Sequence, residues 1–215
     1  MPYTVAEAYN RVLEEADKLG SDYFDKQQVL SVFKKETLDF VGSKAAEAEL
    51  NQQVTDDIRS LVIPVSIPLS PNPDNSLEKI ASIPSNYFSR LSLNVLYSDG
   101  LKARKPTIER FGESNFNAIS PYKKADRMYP RIQQFSNYFN VITGLSLSGT
   151  VQPSKLMLIY IKNPTFGKFD SDKIVDLPDI VCEYLFVQTA ANLGVNSGGT
   201  NSAIKFQANQ LFRKK

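Results

Sequence analysis

At Leu61 the chain changes its hydrophobic period, and that change constrains the fold more than any other feature. Before it, apolar residues recur every three or four positions, the spacing of one helix face. After it comes Leu61-Val62-Ile63-Pro64-Val65-Ser66-Ile67-Pro68. Its β-branched residues and two prolines resist helix and favour extended chain. The prolines also place this run at a sheet edge, where a missing N–H is tolerated. Helices followed by strands predict an α+β protein.

The first quarter reads as helices. Thr4 and Glu7 form a capping box, in which hydroxyl and carboxylate each satisfy the other's free backbone donor. Val5, Ala8, Tyr9, Val12, Leu13, Ala16 and Leu19 then mark one helical face, with Gly20 as its stop. A second helix is predicted from Asp25, with Gln28 as capping partner, to Val41, where Gly42 ends it. Leu30, Phe33, Leu38 and Val41 supply its apolar stripe. Ser43 to Gln53 reads as a third, alanine-rich helix, and Thr55-Asp56-Asp57 caps one further turn.

The middle reads as strands. Pro71-Asn72-Pro73-Asp74-Asn75 is a loop, Leu77 to Ile83 a short strand, and Ser89 to Tyr97 a strand closed by the Ser98-Asp99-Gly100 turn. Lys102 to Arg131 has no clear period and is polar. It reads as a long loop with one helical turn near Ser114 to Ala118, and loops of that length often carry binding. Arg131 to Phe135 and Tyr138 to Thr143 flank Ser136-Asn137 as a hairpin. Leu156 to Lys162 is the most apolar segment and is expected at the centre of the sheet. Pro178-Asp179 opens a last helix with Val181, Tyr184, Leu185, Gln188 and Ala191 on one face, ending at Gly194. The expected organisation is therefore one α+β domain over 1–195: helices in 1–60, a central antiparallel sheet in 61–165 and a closing helix at 178–194. Residues 196–215, opening with Asn196-Ser197-Gly198-Gly199-Thr200-Asn201, read as a flexible docking arm.

With 42% hydrophobic and 22% charged residues in 215, the chain has the composition of a folded protein able to bury a core. The N-terminus lacks a signal-peptide pattern. The longest apolar run, Leu156 to Ile161, is far too short to span a bilayer. The single cysteine, Cys182, forms no intrachain disulfide and suits a reducing compartment. A soluble protein made in the cytoplasm is expected. Charge is unevenly spread. Met1 to Arg59 holds seven basic and twelve acidic residues, whereas Lys102 to Arg131 holds eight basic and three acidic. Opposite ends of opposite sign suit a subunit that meets copies of itself or lies near a polyanion.

Catalytic chemistry is hard to place. The chain has no histidine, which removes the usual general base, the usual triads and the commonest zinc ligand. One cysteine builds no thiolate metal site, and no phosphate-loop or dinucleotide fingerprint is present. Asp56-Asp57 and Asp170-Ser171-Asp172 offer oxygen ligands for a hard cation, but adjacent acids are more often helix starts or solvated turns. Cys182, early in the last helix, reads as a small core residue rather than a nucleophile. Tyr122-Lys123-Lys124-Ala125-Asp126-Arg127-Met128-Tyr129 interleaves aromatics and cations as single-strand nucleic-acid sites do, and exposed loops commonly do the same.

Four segments in order carry a resemblance: Val54-Thr55-Asp56-Asp57-Ile58-Arg59-Ser60-Leu61-Val62, Ile83-Pro84-Ser85-Asn86-Tyr87-Phe88-Ser89-Arg90-Leu91, Ile159-Tyr160-Ile161-Lys162-Asn163-Pro164, and Asp176-Leu177-Pro178-Asp179 with Glu183. Between the second and third lies Ser120-Pro121-Tyr122-Lys123-Lys124. In this order the chain resembles the head-to-tail ring or connector proteins in the neck of crAss-like and related Bacteroidetes tailed phages, over roughly Met1 to Gly194. The tail beyond Gly194 has no counterpart in that family. The resemblance implies a virion structural protein without catalytic activity, cofactor or metal. It implies a homo-oligomeric ring, commonly twelvefold, that contacts the portal and other neck or tail proteins, with genomic double-stranded DNA passing through its lumen and no membrane partner. Assembly would take place in the host cytoplasm. The residues expected at assembly contacts are Lys102, Arg104, Lys105, Lys123, Lys124, Arg127 and Arg131 of the basic loop, with Phe206, Leu211 and Phe212 of the arm. The rival readings are a nucleic-acid-binding accessory protein that uses the basic 102–131 loop, and a carboxylate-dependent hydrolase.

Overall fold

A computed structural model describes residues 3–17, 24–48, 52–75, 78–103, 106–109, 125–144 and 151–196. The protein is α+β. Its chain forms two compact units, one from the residues before Val62 and after Lys162, the other from Val62–Lys162.

The first unit is helical. Helix α1 spans Val5–Asp17. Its predicted capping box is present: Glu7 Oε2 accepts from the Thr4 N–H at 2.9 Å, and Thr4 Oγ1 accepts from the Glu7 N–H at 3.3 Å. Val5, Ala8, Val12 and Ala16 are buried, as their spacing requires. Helix α2 spans Lys26–Ala48, with Asp25 Oδ2 accepting from the Gln27 N–H at its start.

Two expectations for α2 fail. Gly42 does not end the helix, and Ser43 does not start another. Glycine in a helix interior costs only about 1 kcal/mol, and Val41 and Ala45 are buried on either side of it. The buried stripe is Val29, Phe33, Thr37, Phe40, Val41 and Ala45, leaving Leu38 39% exposed. Gln52–Leu61 is a 3-10 helix that buries Ile58 and Leu61.

Helix α3, Asp179–Asn196, packs on both α1 and α2. It runs past Gly194, and it is buried on most of its circumference rather than on one face. Phe186 meets Tyr3 edge-on at 5.1 Å and Phe33 at 5.6 Å. Two hydroxyls buried in this unit satisfy themselves on their own helices: Thr37 donates to the Phe33 carbonyl at 2.8 Å and Thr189 to the Leu185 carbonyl at 2.7 Å.

The second unit is β. Its strands are β1 Val62–Pro68, β2 Ser70–Pro71, β3 Glu78–Ser82, β4 Tyr87–Tyr97, β5 Thr107–Glu109, β6 Arg131–Gln134, β7 Tyr138–Ile142 and β8 Pro153–Lys162. The single sheet expected from the sequence is two sheets: β1-β8-β4, and β2-β3-β7-β6-β5. The second is mixed, because β5 runs parallel to β6. That short strand lies within the stretch expected to be loop; three residues are too few to show a period. The β6–β7 hairpin and the central position of β8 stand as predicted. The proline-bearing β1 is an edge strand.

Leu93, Val95, Tyr97, Leu156, Leu158 and Tyr160 of the first sheet share one core with Ala81, Ile132, Phe139 and Val141 of the second. Gly100, at φ 83°, makes the turn after β4, with its N–H on the Tyr97 carbonyl at 3.0 Å.

Candidate assembly surfaces

Charge divides along the same line as the fold. Val62–Lys162 carries twelve basic and six acidic residues, a net of +6. The rest of the chain carries thirteen basic and seventeen acidic, a net of −4. Each copy thus carries two units of opposite net charge.

Two residues of the basic loop expected at assembly contacts, Arg127 and Arg131, make ion pairs within their own unit. Arg131 is 7% exposed, and its Nη1 donates to Glu109 Oε1 at 2.8 Å, joining β6 to β5. This pair lies at one end of a polar ladder across the second sheet. Gln133 Nε2 donates to Glu109 Oε2 at 3.3 Å, and Asn140 Nδ2 donates to Gln133 Oε1 at 3.2 Å and Glu78 Oε2 at 2.5 Å. Asn72 and Asn75 donate to Glu78 at its far end. Arg127 pairs with Asp99 and sits 5.4 Å above the Tyr97 ring. Burial pushes the Asp99 carboxyl up, but the Leu101 N–H and the Arg127 guanidinium outweigh it and hold the group below the usual range. Burial also pushes the Tyr97 hydroxyl up to about 12.

Lys102 is exposed, and its backbone bridges Leu96 of β4. Arg104, Lys105, Lys123, Lys124, Phe206, Leu211 and Phe212 lie outside the described residues, as do Tyr122 and the turn expected at Ser114 to Ala118.

Lys102 stands beside a surface that the sequence reading did not single out. The face of the three-stranded sheet turned away from its core holds a groove of about 400 Å³. Pro64 and Ser66 of β1, Met157 and Ile159 of β8, and Ser92 and Asn94 of β4 line it. Register explains the arrangement: Ile159 lies opposite Pro64 and Ser92, and Met157 opposite Ser66 and Asn94. Central β8 carries the apolar pair, and its neighbours carry small polar residues and a proline. Ile159 is 39% exposed. The sequence marked β8 as its most apolar segment, and a run with apolar residues on both faces gave no sign of which face stays open. The β1 edge is blunted by Pro64 and Pro68, and β4 is irregular at three register shifts.

The two acidic motifs serve the fold. Asp57 pairs with Lys44 at 3.2 Å, and Asp170 pairs with Lys26. Asp172 Oδ2 accepts from the Lys168 and Phe169 N–H groups, each at 2.9 Å, which holds its carboxyl below the usual range. Among the described residues no group of three or more histidine, cysteine, aspartate or glutamate side chains is placed to hold a metal ion. Cys182 is buried, and burial pushes its thiol up to about 11, which makes it unreactive near neutrality. Among the described residues no helix is long and apolar enough to cross a membrane.

Compared with known proteins, the chain matches no family model and no curated sequence.

Proposed function

We propose that this chain is a non-catalytic structural subunit that assembles into an oligomeric ring in the neck of a tailed bacteriophage, with genomic DNA passing through the lumen. The observation that carries the reading is the division of the chain into a basic β unit and an acidic helical unit, +6 against −4. A ring needs a heterologous interface, in which one surface of a subunit meets a different surface of the next. Units of opposite sign favour that contact and disfavour like meeting like. The open apolar groove on the three-stranded sheet is a second feature suited to assembly. The resemblance to neck ring proteins supplies the place in the particle, with the portal and other neck or tail proteins as neighbours. The rival nucleic-acid reading loses support from Arg127 and Arg131, whose charges are already met by Asp99 and Glu109.

The test is to image particles of the phage that encodes the chain and locate it with a specific antibody fragment. Label at the head–tail junction is the expected result. Particles that lack the chain overturn the reading, and a DNA-dependent shift of a monomer favours the nucleic-acid rival.

A further inference from the structure

We propose that Phe169, on the loop before α3, inserts into the groove on the three-stranded sheet of a second copy of this chain. The inference rests on the reading of the chain as a self-assembling subunit and names the contact that would build the assembly. Phe169 is 71% exposed, the most exposed large hydrophobic side chain among the described residues. An exposed apolar residue on its own means little. This one is presented by a turn that the fold holds on several sides.

Asp172 Oδ2 takes the N–H groups of Lys168 and Phe169, and the Asp172 N–H returns to the Phe169 carbonyl at 2.9 Å. The carbonyls of Asp170 and Asp172 accept from the first turn of α1, at Ala6 and Val5. Lys26 of α2 pairs with Asp170. At Gly167 a Cβ would stand 2.5 Å from the Lys173 carbonyl oxygen, so the loop closes here only with glycine. Ordering of the turn is therefore complete before any partner arrives, which lowers the cost of binding.

The groove matches this knob in size and polarity, and the units that bear the two are of opposite net charge. Its volume of about 400 Å³ exceeds the roughly 150 Å³ of a cavity that holds benzene. Met157, Ile159 and Pro64 offer an apolar floor, and Lys102 stands at its lining. Phe169 stands between Lys168 and Asp170 in sequence, and the unit that bears it carries a net charge of −4. The groove belongs to the basic unit. Knob and groove are different surfaces, so each copy both gives and receives, and the chain of contacts closes as a ring or extends as a filament.

The test uses the full chain with Phe169→Asp, which removes the knob, and Ser92→Arg, which fills the groove from an exposed position opposite Ile159. Circular dichroism checks that both fold, and Phe169→Ser and Ile159→Lys replace either one that does not. Mass is read by analytical ultracentrifugation. The wild-type chain is expected to form assemblies larger than a dimer. Each variant alone is expected to weaken association roughly 30-fold or more, the loss of a hot-spot aromatic. An equimolar mixture of the two variants retains one knob and one groove that fit each other, and it is expected to stop at the mass of a dimer. A wild-type chain that stays monomeric, variants that assemble as the wild type does, or a mixture that remains monomeric overturns the inference. The two proposals fail separately. Label at the neck with an assembly indifferent to Phe169 sinks only the knob. A Phe169-dependent assembly from a chain absent from particles sinks only the neck.

Discussion

Arg131 and Glu109 form an ion pair with side chains only 9% and 1% exposed. At that depth the cost of stripping water from two charges rivals their attraction, so the pair adds little net stability, whereas breaking it leaves one charge stranded. Arg131→Met is expected to destabilise the β unit by about 3–5 kcal/mol, and the double change Arg131→Met with Glu109→Leu is expected to recover most of the loss. Urea unfolding of the wild-type chain and the two variants checks this. Cys182 and Tyr97 give a second prediction. Burial raises the thiol from 9.0 to about 11 and the phenol from 10.0 to about 12. Both folded values lie above the unfolded ones, so the fold favours the protonated forms. Their contribution is intact below the unfolded values and is lost as pH rises through the folded ones. Stability measured by denaturant is expected to fall from about pH 9 upward, and in Cys182→Ala the fall is expected to begin about one pH unit later.

Strand β8 decides the integrity of the β unit. It alone pairs with both β1 and β4, and its Leu156 and Leu158 are 0% and 1% exposed. Leu158→Ala is expected to cost about 2–5 kcal/mol, the transfer of the lost side chain plus the cavity it leaves. A loss below about 0.5 kcal/mol would mean that Leu158 does not face the core. The same strand sets Met157 and Ile159 on the opposite face, so its alternation serves stability on one side and the groove on the other. Helix α2 shows the opposite relation between sequence and element. Its one strong local stop signal, Gly42, yields to burial of Val29, Phe33, Thr37 and Phe40 upstream and Ala45 downstream.

Across the whole molecule the two units differ in sign, and an assembly joined through them is expected to depend on salt. The screening length falls from about 10 Å at 0.1 M to about 3 Å at 1 M. Raising salt over that range is expected to shift ultracentrifuge profiles toward smaller species. Unchanged profiles would place the contact on apolar surface alone. Removing Phe169 and adding salt should act independently if the knob and the wider charge are separate contributions.

The sequence by itself determined what short-range chemistry controls. The Thr4–Glu7 capping box spans three residues, the β6–β7 hairpin turns at Ser136-Asn137, and β1 declares its edge through its own prolines. It also determined the α+β class, because the change of period at Leu61 lies along the chain. Only the tertiary structure decided the rest. Arg131 was expected at an assembly contact, and its pairing with Glu109 was not legible because Glu109 stands 22 residues away on a strand too short to show a period. One sheet became two because strand order depends on long-range pairing, which no local pattern records. The face of β8 that carries the groove, and the turn that holds Phe169 out, depend on which side of each strand finds a core. That choice is made when apolar surfaces from distant segments bury one another.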